Sequence, residues 1–217
     1  YILFIGQLIY GCNRMKRFSR KEFTPKTSFT IVVPFRNEKE NLPNLLHSIS
    51  LLNYPKELVE IILVDDDSEE VFSVQDLVFS LKVIKNDRKS NSPKKDAIET
   101  AIQVAKNDWI ITTDADCLVQ KDWLKIYDQY IQENEVEMVA SGVCYVPKNS
   151  FLSAFQNLDF LSLQGATIGS FGINQPFMCN GANFSYSKHF FKELNGFQGN
   201  ETIASGDDVF LLQKAIS

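Results

Sequence analysis

Apolar positions along this chain follow two alternating periods, and that alternation sets the expected architecture. Thr30, Ile31, Val32 and Val33 form a short run suited to a strand buried on both faces, which predicts a strand over residues 29–34. Leu42, Leu45, Leu46, Ile49 and Leu52 then recur at helical spacing. Asn37 is expected to cap that helix, with Pro43 tolerated in its first turn. Further strands are expected at 60–64, 81–84 and 109–112, and a helix over 94–106 carries Ala97, Ile98, Ala101, Ile102 and Ala105 on one face. Strand and helix therefore alternate over residues 29–135, predicting an α/β fold with a mostly parallel central sheet and helices on both faces.

After the apolar stretch 138–142 the pattern changes. A helix rich in Phe151, Leu152, Phe155, Leu158, Phe160 and Leu161 is expected, then a glycine-containing loop at 165–172 and a short strand at 177–180. A last helix carries Val209, Phe210, Leu211, Leu212, Ala215 and Ile216, and its pattern still runs at Ser217.

The 217 residues are 44% hydrophobic and 23% charged, enough apolar material for a full core. A net charge of -5 argues against a nucleic-acid partner, which would call for clustered Lys and Arg. The four cysteines, Cys12, Cys117, Cys144 and Cys179, lack metal-ligand spacing and read as reduced thiols in a cytosolic setting. His47 and His189 stand far apart on helical patterns, which argues against zinc.

Acidic residues cluster where strands end: Asp65, Asp66 and Asp67; Asp114 and Asp116; and later Asp207 and Asp208. Ligands of parallel sheets bind beyond those carboxyl ends. Two carboxylates so close together repel unless a cation joins them, and hard oxygen donors suit Mg2+ or Mn2+ shared with substrate phosphates. Solvated turn acids are the plain alternative for Asp114 and Asp116, as the helix dipole is for Asp207 and Asp208.

Residues 1–10 are apolar but about half the ~20 residues that span a bilayer. Arg14, Lys16, Arg17, Arg20, Lys21 and Lys26 follow, opposed only by Glu22, an order that suits the cytoplasmic end of a membrane helix and not a signal peptide. A buried first helix with a solvated basic linker is the alternative. Residues 1–27 are thus expected to be a partial membrane-proximal segment and basic linker, and 28–217 a domain truncated at its carboxyl end.

Six short segments, TIVVPFRNE from Thr30, ILVDDDS from Ile61, KKDAI from Lys94, TDADC from Thr113, CNGANF from Cys179 and SGDDVFL from Ser205, resemble in order and spacing the family 2 glycosyltransferases of GT-A fold. The likeness covers residues 28–217 and is strongest to the membrane-associated branch. It implies an inverting transfer of a sugar from a nucleotide-diphosphate donor, a UDP-sugar first, to a glycan or lipid acceptor in cell-envelope synthesis. The enzyme would associate with the membrane through segments outside or at the edge of this chain, its catalytic domain facing the cytoplasm. Pro34, Arg36, Glu38, Asp65, Asp66, Lys94 and Asp114 would bind the nucleotide sugar, Asp114 and Asp116 the Mg2+ or Mn2+ ion, and Asn180, Gly181 and Asn183 the acceptor side. Asp208 would be the base, with Asp207 as fallback. Two positions depart from the family: Pro93 where Gly usually precedes the lysine, and Asp207 in place of Glu.

Three other readings fit less well. A haloacid-dehalogenase-type phosphatase would carry its nucleophilic Asp after the first strand, whereas Asp114 follows three earlier strands. A sugar nucleotidyltransferase would open with a Gly- and Arg-rich loop, which residues 34–41 lack. A catalytically inactive sugar-nucleotide-binding domain would not need Asp114, Asp116 and Asp208 together.

Overall fold

The computed structural model describes residues 1–70, 78–146 and 149–217. Strands β1 (Phe29–Phe35), β2 (Val59–Asp65), β3 (Ser80–Lys85), β4 (Trp109–Thr112), β5 (Met138–Ala140) and β6 (Phe184–Ser187) form one sheet in the order β3-β2-β1-β4-β6-β5. The first four strands are mutually parallel, while β6 runs antiparallel to both β4 and β5. Helices α1 (Ile2–Arg14), α2 (Leu42–Ser50), α3 (Pro93–Val104), α4 (Trp123–Glu133), α5 (Phe151–Gly172), α6 (Lys188–Glu193) and α7 (Asp207–Ile216) surround it.

Each sheet face carries its own core. Ile31, Val33, Ile61 and Leu63 meet Leu42, Leu45 and Ile49 of α2 and Leu124 of α4 on one side. Val32, Ile62 and Val64 meet Ala97, Ile98 and Ala101 of α3 with Leu211 and Leu212 of α7 on the other. Covering both faces explains why β1 and β2 carry continuous apolar runs at 31–33 and 61–64 and not an alternating pattern.

Three expectations need correction. Asn37 does not cap α2: it adopts φ 57°, and its side-chain oxygen accepts from the Glu69 amide, stapling the loop after β1 to the loop after β2. Asn41 occupies the cap position instead. Residues 165–172 are not a loop but the last two turns of α5. Their glycines are packing surfaces: a Cβ on Gly169 or Gly172 would collide with the backbone of Leu8 or Gly11 in α1, and Cys12 donates to the Gly165 carbonyl at 3.1 Å. Close helix contact here offsets a helix penalty of about 1 kcal/mol per glycine. Residues 177–180 form no strand; they lead to a single 3-10 turn, Gly181–Asn183, and the strand is β6.

The basic segment after α1 lies along α4. Arg20 pairs with Asp122 and Lys21 with Glu133, while the amides of Lys26 and Thr27 donate to the buried Asp128. Among the described residues no helix is long and apolar enough to cross a membrane.

Candidate functional site

The antiparallel insertion of β6 brings its leading turn to the edge where β1, β2 and β4 end, because Phe184 pairs with Thr112. Thr112 Oγ1 donates to the Gly181 carbonyl at 2.6 Å and fixes that turn. The Gly181 amide in turn donates to Asp208 Oδ2 at 2.7 Å. A Cβ at Gly181 would sit 3.0 Å from Asp207 Oδ2, so the missing side chain lets the acidic pair close on the turn.

Lys94, at the start of α3, joins this group to β4. Its Nζ donates to Asp114 Oδ1 at 2.7 Å and lies 4.0 Å from Asp207 Oδ2. Burial works against the ammonium, but Asp207 and then Asp114 and Asp208 outweigh it and hold the Lys94 pKa above the usual lysine value. Burial raises the Asp207 pKa, helped by the charges of Asp208 and Asp114 and opposed by Lys94. Lys94, Asp114, Gly181, Asp207 and Asp208 thus converge in one place.

Asp116 is exposed one residue beyond the buried Ala115. Among the described residues no three His, Cys, Asp or Glu side chains group closely enough to hold a metal by themselves. Two carboxylates at an open strand end fit Mg2+ or Mn2+, ions that complete their shells with phosphate oxygens and water.

A cleft of about 460 Å3 opens beyond β2 and β3, lined by Phe35, Asp65, Asp66, Lys85, Asn86 and Arg88 among others. Asp66 is gripped by Arg88, whose Nε and Nη2 reach its two carboxylate oxygens at 2.6 and 2.7 Å, and by Asn86 Nδ2 at 2.6 Å. Burial opposes this charge, yet Arg88 and Asn86 hold the Asp66 pKa below the ordinary aspartate value. Asp65 Oδ1 accepts from the Ser68 amide at 2.9 Å, closing the turn that lines the cleft. Asn86 Oδ1 is buried with no donor among the described residues.

Other sequence-predicted residues take supporting positions. Pro34 is the penultimate residue of β1, half-buried opposite Val64, and Arg36 is exposed just after the strand, its charge felt by Asp66. Glu38 accepts from Asn41 Nδ2 at 2.7 Å, and its carbonyl receives the Asn41 and Leu42 amides just ahead of α2. Asn180 Oδ1 accepts from the Ala182 amide at 2.9 Å. Asn183 is fully engaged inside the protein: Trp123 Nε1 and Tyr127 Oη donate to its Oδ1 at 2.8 Å each, and its Nδ2 donates to Gly142.

Sequence reasoning missed Arg88, Asn86 and Lys95. Arg88 and Asn86 sit in a polar segment that carries no periodic signal. Lys95, only 2% exposed, donates to the carbonyls of Asn200, Ile203 and Ser205 at 3.0, 2.7 and 3.2 Å. It follows Lys94 directly, and neighbouring helix positions face different directions, so the two lysines serve different partners.

Residues 30–195 match the family model described as Glycosyl transferase family 2. The chain is 24% identical over 170 residues to poly-beta-1,6-N-acetyl-D-glucosamine synthase of Staphylococcus aureus (strain COL), covering 76% of this chain and 40% of that protein. It is 24% identical over 140 residues to glycosyltransferase AglE of Haloferax volcanii, covering 62% and 45%. Among solved structures, S. aureus TarS 1-349 superposes with a TM-score of 0.59 at 20% identity, covering 88% of this chain and 55% of that one. The mannosyltransferase PcManGT of Pyrobaculum calidifontis, in complex with GDP-Man and Mn2+, superposes with a TM-score of 0.63 at 18% identity, covering 96% and 59%. The chain therefore spans about 40% of the length of the synthase it matches, and its sheet and helices have the architecture of these GT-A glycosyltransferases. By the match over residues 30–195, the chain belongs to glycosyl transferase family 2.

Proposed function

We propose that the chain is the catalytic domain of an inverting, metal-dependent glycosyltransferase that moves a sugar from a nucleotide-diphosphate donor to an acceptor hydroxyl. The observation that carries this reading is the convergence of Lys94, Asp114 and the Gly181-anchored Asp207–Asp208 pair beside a separate polar cleft. The cleft suits the nucleoside. Asp65 would address ribose hydroxyls, the orphaned Asn86 Oδ1 offers an acceptor to a base N–H, and Arg88 keeps Asp66 rigid at the wall. Phe35 lines the cleft from β1, and its neighbours Pro34, Arg36 and Glu38 would contact the donor from that side.

Asp114 and Asp116 would hold Mg2+ or Mn2+, which supplies positive charge to the departing diphosphate. Lys94 adds a fixed cation at the head of α3, where the helix N-terminus also favours an anion. The acceptor oxygen attacks the anomeric carbon, the carbon–oxygen bond to the diphosphate breaks with its electron pair going to the phosphate, and Asp208 takes the acceptor proton. Backbone amides of Gly181 and Val209 hold both Asp208 oxygens at 2.7 Å, fixing the carboxylate for that transfer. Attack opposite the leaving group inverts the anomeric centre.

The named substrates of relatives support UDP- or GDP-linked donors, since TarS is described with UDP-GlcNAc and PcManGT with GDP-Man. The synthase relative supports a cell-envelope glycan or glycolipid product. The apolar α1 followed by a basic segment supports membrane association with the catalytic domain on the cytoplasmic side. Incubation with UDP-N-acetylglucosamine or GDP-mannose and Mn2+ should release nucleoside diphosphate. Asp208→Asn should reduce turnover by about 10³-fold while donor binding persists. Full turnover in that variant would remove Asp208 as base.

A further inference from the structure

A second cavity, of about 430 Å3, lies between the segment after α1, α4, β5 and α5, away from the nucleoside cleft. Phe18, Tyr130, Met138, Ile168 and Phe171 give it a largely apolar wall. Its inner end is formed by Cys179 and Asn180, the residues next to Gly181, whose amide holds Asp208. Burial, then the charges of Asp208 and Asp207, pushes the Cys179 thiol pKa up, so that end presents a neutral thiol. At the outer rim Met15 is 41% and Ile168 46% exposed, and Tyr10 of α1 and Leu161 of α5 are further exposed apolar residues of the paired helices. Lys16 stands in the wall and opens the basic segment.

We propose that this cavity binds the apolar chain of the acceptor, so that the acceptor is an amphipathic hydroxyl compound whose head reaches Asp208. The inference rests on the transferase reading and specifies its acceptor. Three features carry it. The cavity runs continuously from exposed apolar surface to the turn that holds the base. Most of its wall is apolar, with Ser141, Gln164 and Thr167 as separated polar groups, which suits an alkyl chain better than a glycan that would need polar partners along its whole length. Lys16 stands in the wall at the start of a basic segment, which suits an amphiphile drawn from an anionic lipid surface.

Chain binding is read without any donor, as the fluorescence of 11-(dansylamino)undecanol, with hexanol, octanol and decanol as competitors. Competitor affinity should rise roughly fourfold per methylene. Thr167→Trp and Ile168→Trp, which fill the cavity from α5, should weaken probe binding at least about tenfold. Leu158→Trp, on the exposed face of the same helix, should leave it unchanged. Circular dichroism identifies any variant that fails to fold, and either cavity variant suffices. Saturating probe should also alter nucleoside diphosphate release from the donor, because its hydroxyl occupies the place of water at Asp208. Affinity independent of chain length overturns the proposal. So does weakening by Leu158→Trp with none by the cavity variants, or bound probe that leaves nucleoside diphosphate release unchanged. Release without probe tests the transferase reading separately, so the two failures are distinguishable.

Discussion

Replacing Lys95 by Met tests whether the acidic pair is held in place from behind. The buried ammonium contacts no carboxylate; it gathers three carbonyls of the segment that leads into α7, ending two residues before Asp207. Charge-assisted hydrogen bonds contribute about 1.5–3 kcal/mol each, so three give roughly 5–9 kcal/mol gross. Burying the ammonium costs several kcal/mol, which leaves a net stabilisation of about 2–4 kcal/mol for the clamp. Met keeps the length and apolar stem but leaves those carbonyls without the cation. The expected result is faster amide exchange over residues 200–208 and a kcat lowered about 10- to 100-fold, following a loss of ~1.4–2.7 kcal/mol in the placement of Asp208. The donor KM should stay near wild type, because the proposed nucleoside cleft lies across the sheet beyond β2 and β3. Stopped-flow or coupled assays of nucleoside diphosphate release separate kcat from KM. A Lys95→Met protein that loses thermal stability yet retains wild-type kcat per folded molecule would refute the positioning role.

Three other perturbations follow from the same geometry. Gly181→Ala places a Cβ 3.0 Å from Asp207 Oδ2, so kcat should fall about tenfold or more, with unfolding midpoints little changed. Asn183→Ala strips the acceptor from Trp123 and Tyr127 and the donor from Gly142, and chemical denaturation should show a loss of about 2–4 kcal/mol. Arg88→Gln should lower stability at neutral pH. Since the folded pKa of Asp66 is depressed, the stability from this pair is present above the unfolded value of about 3.9 and disappears as pH falls through the folded value. The two proteins should therefore differ in melting midpoint at pH 7 and converge in strong acid; a constant difference across that window would show that the pair is not the source.

The parallel half of the sheet was legible because buried strands and amphipathic helices leave unambiguous patterns: β4 occupies residues 109–112 as expected, β1 is longer by one residue at its end, and β2 by one residue at each end. The second half misled for a physical reason. Gly165, Gly169 and Gly172 carry the same local signal whether they turn a chain or let two helices touch, and only the approach of α1 decides between them. The strand expected at 177–180 failed similarly, because an isolated apolar residue such as Phe177 says nothing about which segment finds a partner strand. In the site, the acids were visible but their restraints were not. Arg88 and Lys95 act across 22 and 105 or more residues of sequence, a separation that no local pattern records.

The single antiparallel strand β6 explains why the candidate site has two chemically different sides. A purely parallel extension beyond β4 would deliver another strand's carboxyl end and, with it, another loop of the kind that forms the polar cleft at β2 and β3. Because β6 enters from the opposite direction, the turn at its start arrives there instead, bringing Gly181 against Asp208 and carrying Cys179 and Asn180 with it. That turn is preceded in sequence by α5, whose glycine face is pinned by α1, so the apolar helix pair is positioned by the same chain reversal that positions Asp208. In the proposed reading, donor and acceptor chemistry are thereby separated across Asp114 and Lys94. A substitution that loosens the α1–α5 contact, such as Gly169→Val, acts on the second cavity while the nucleoside cleft, three strands away, keeps its geometry.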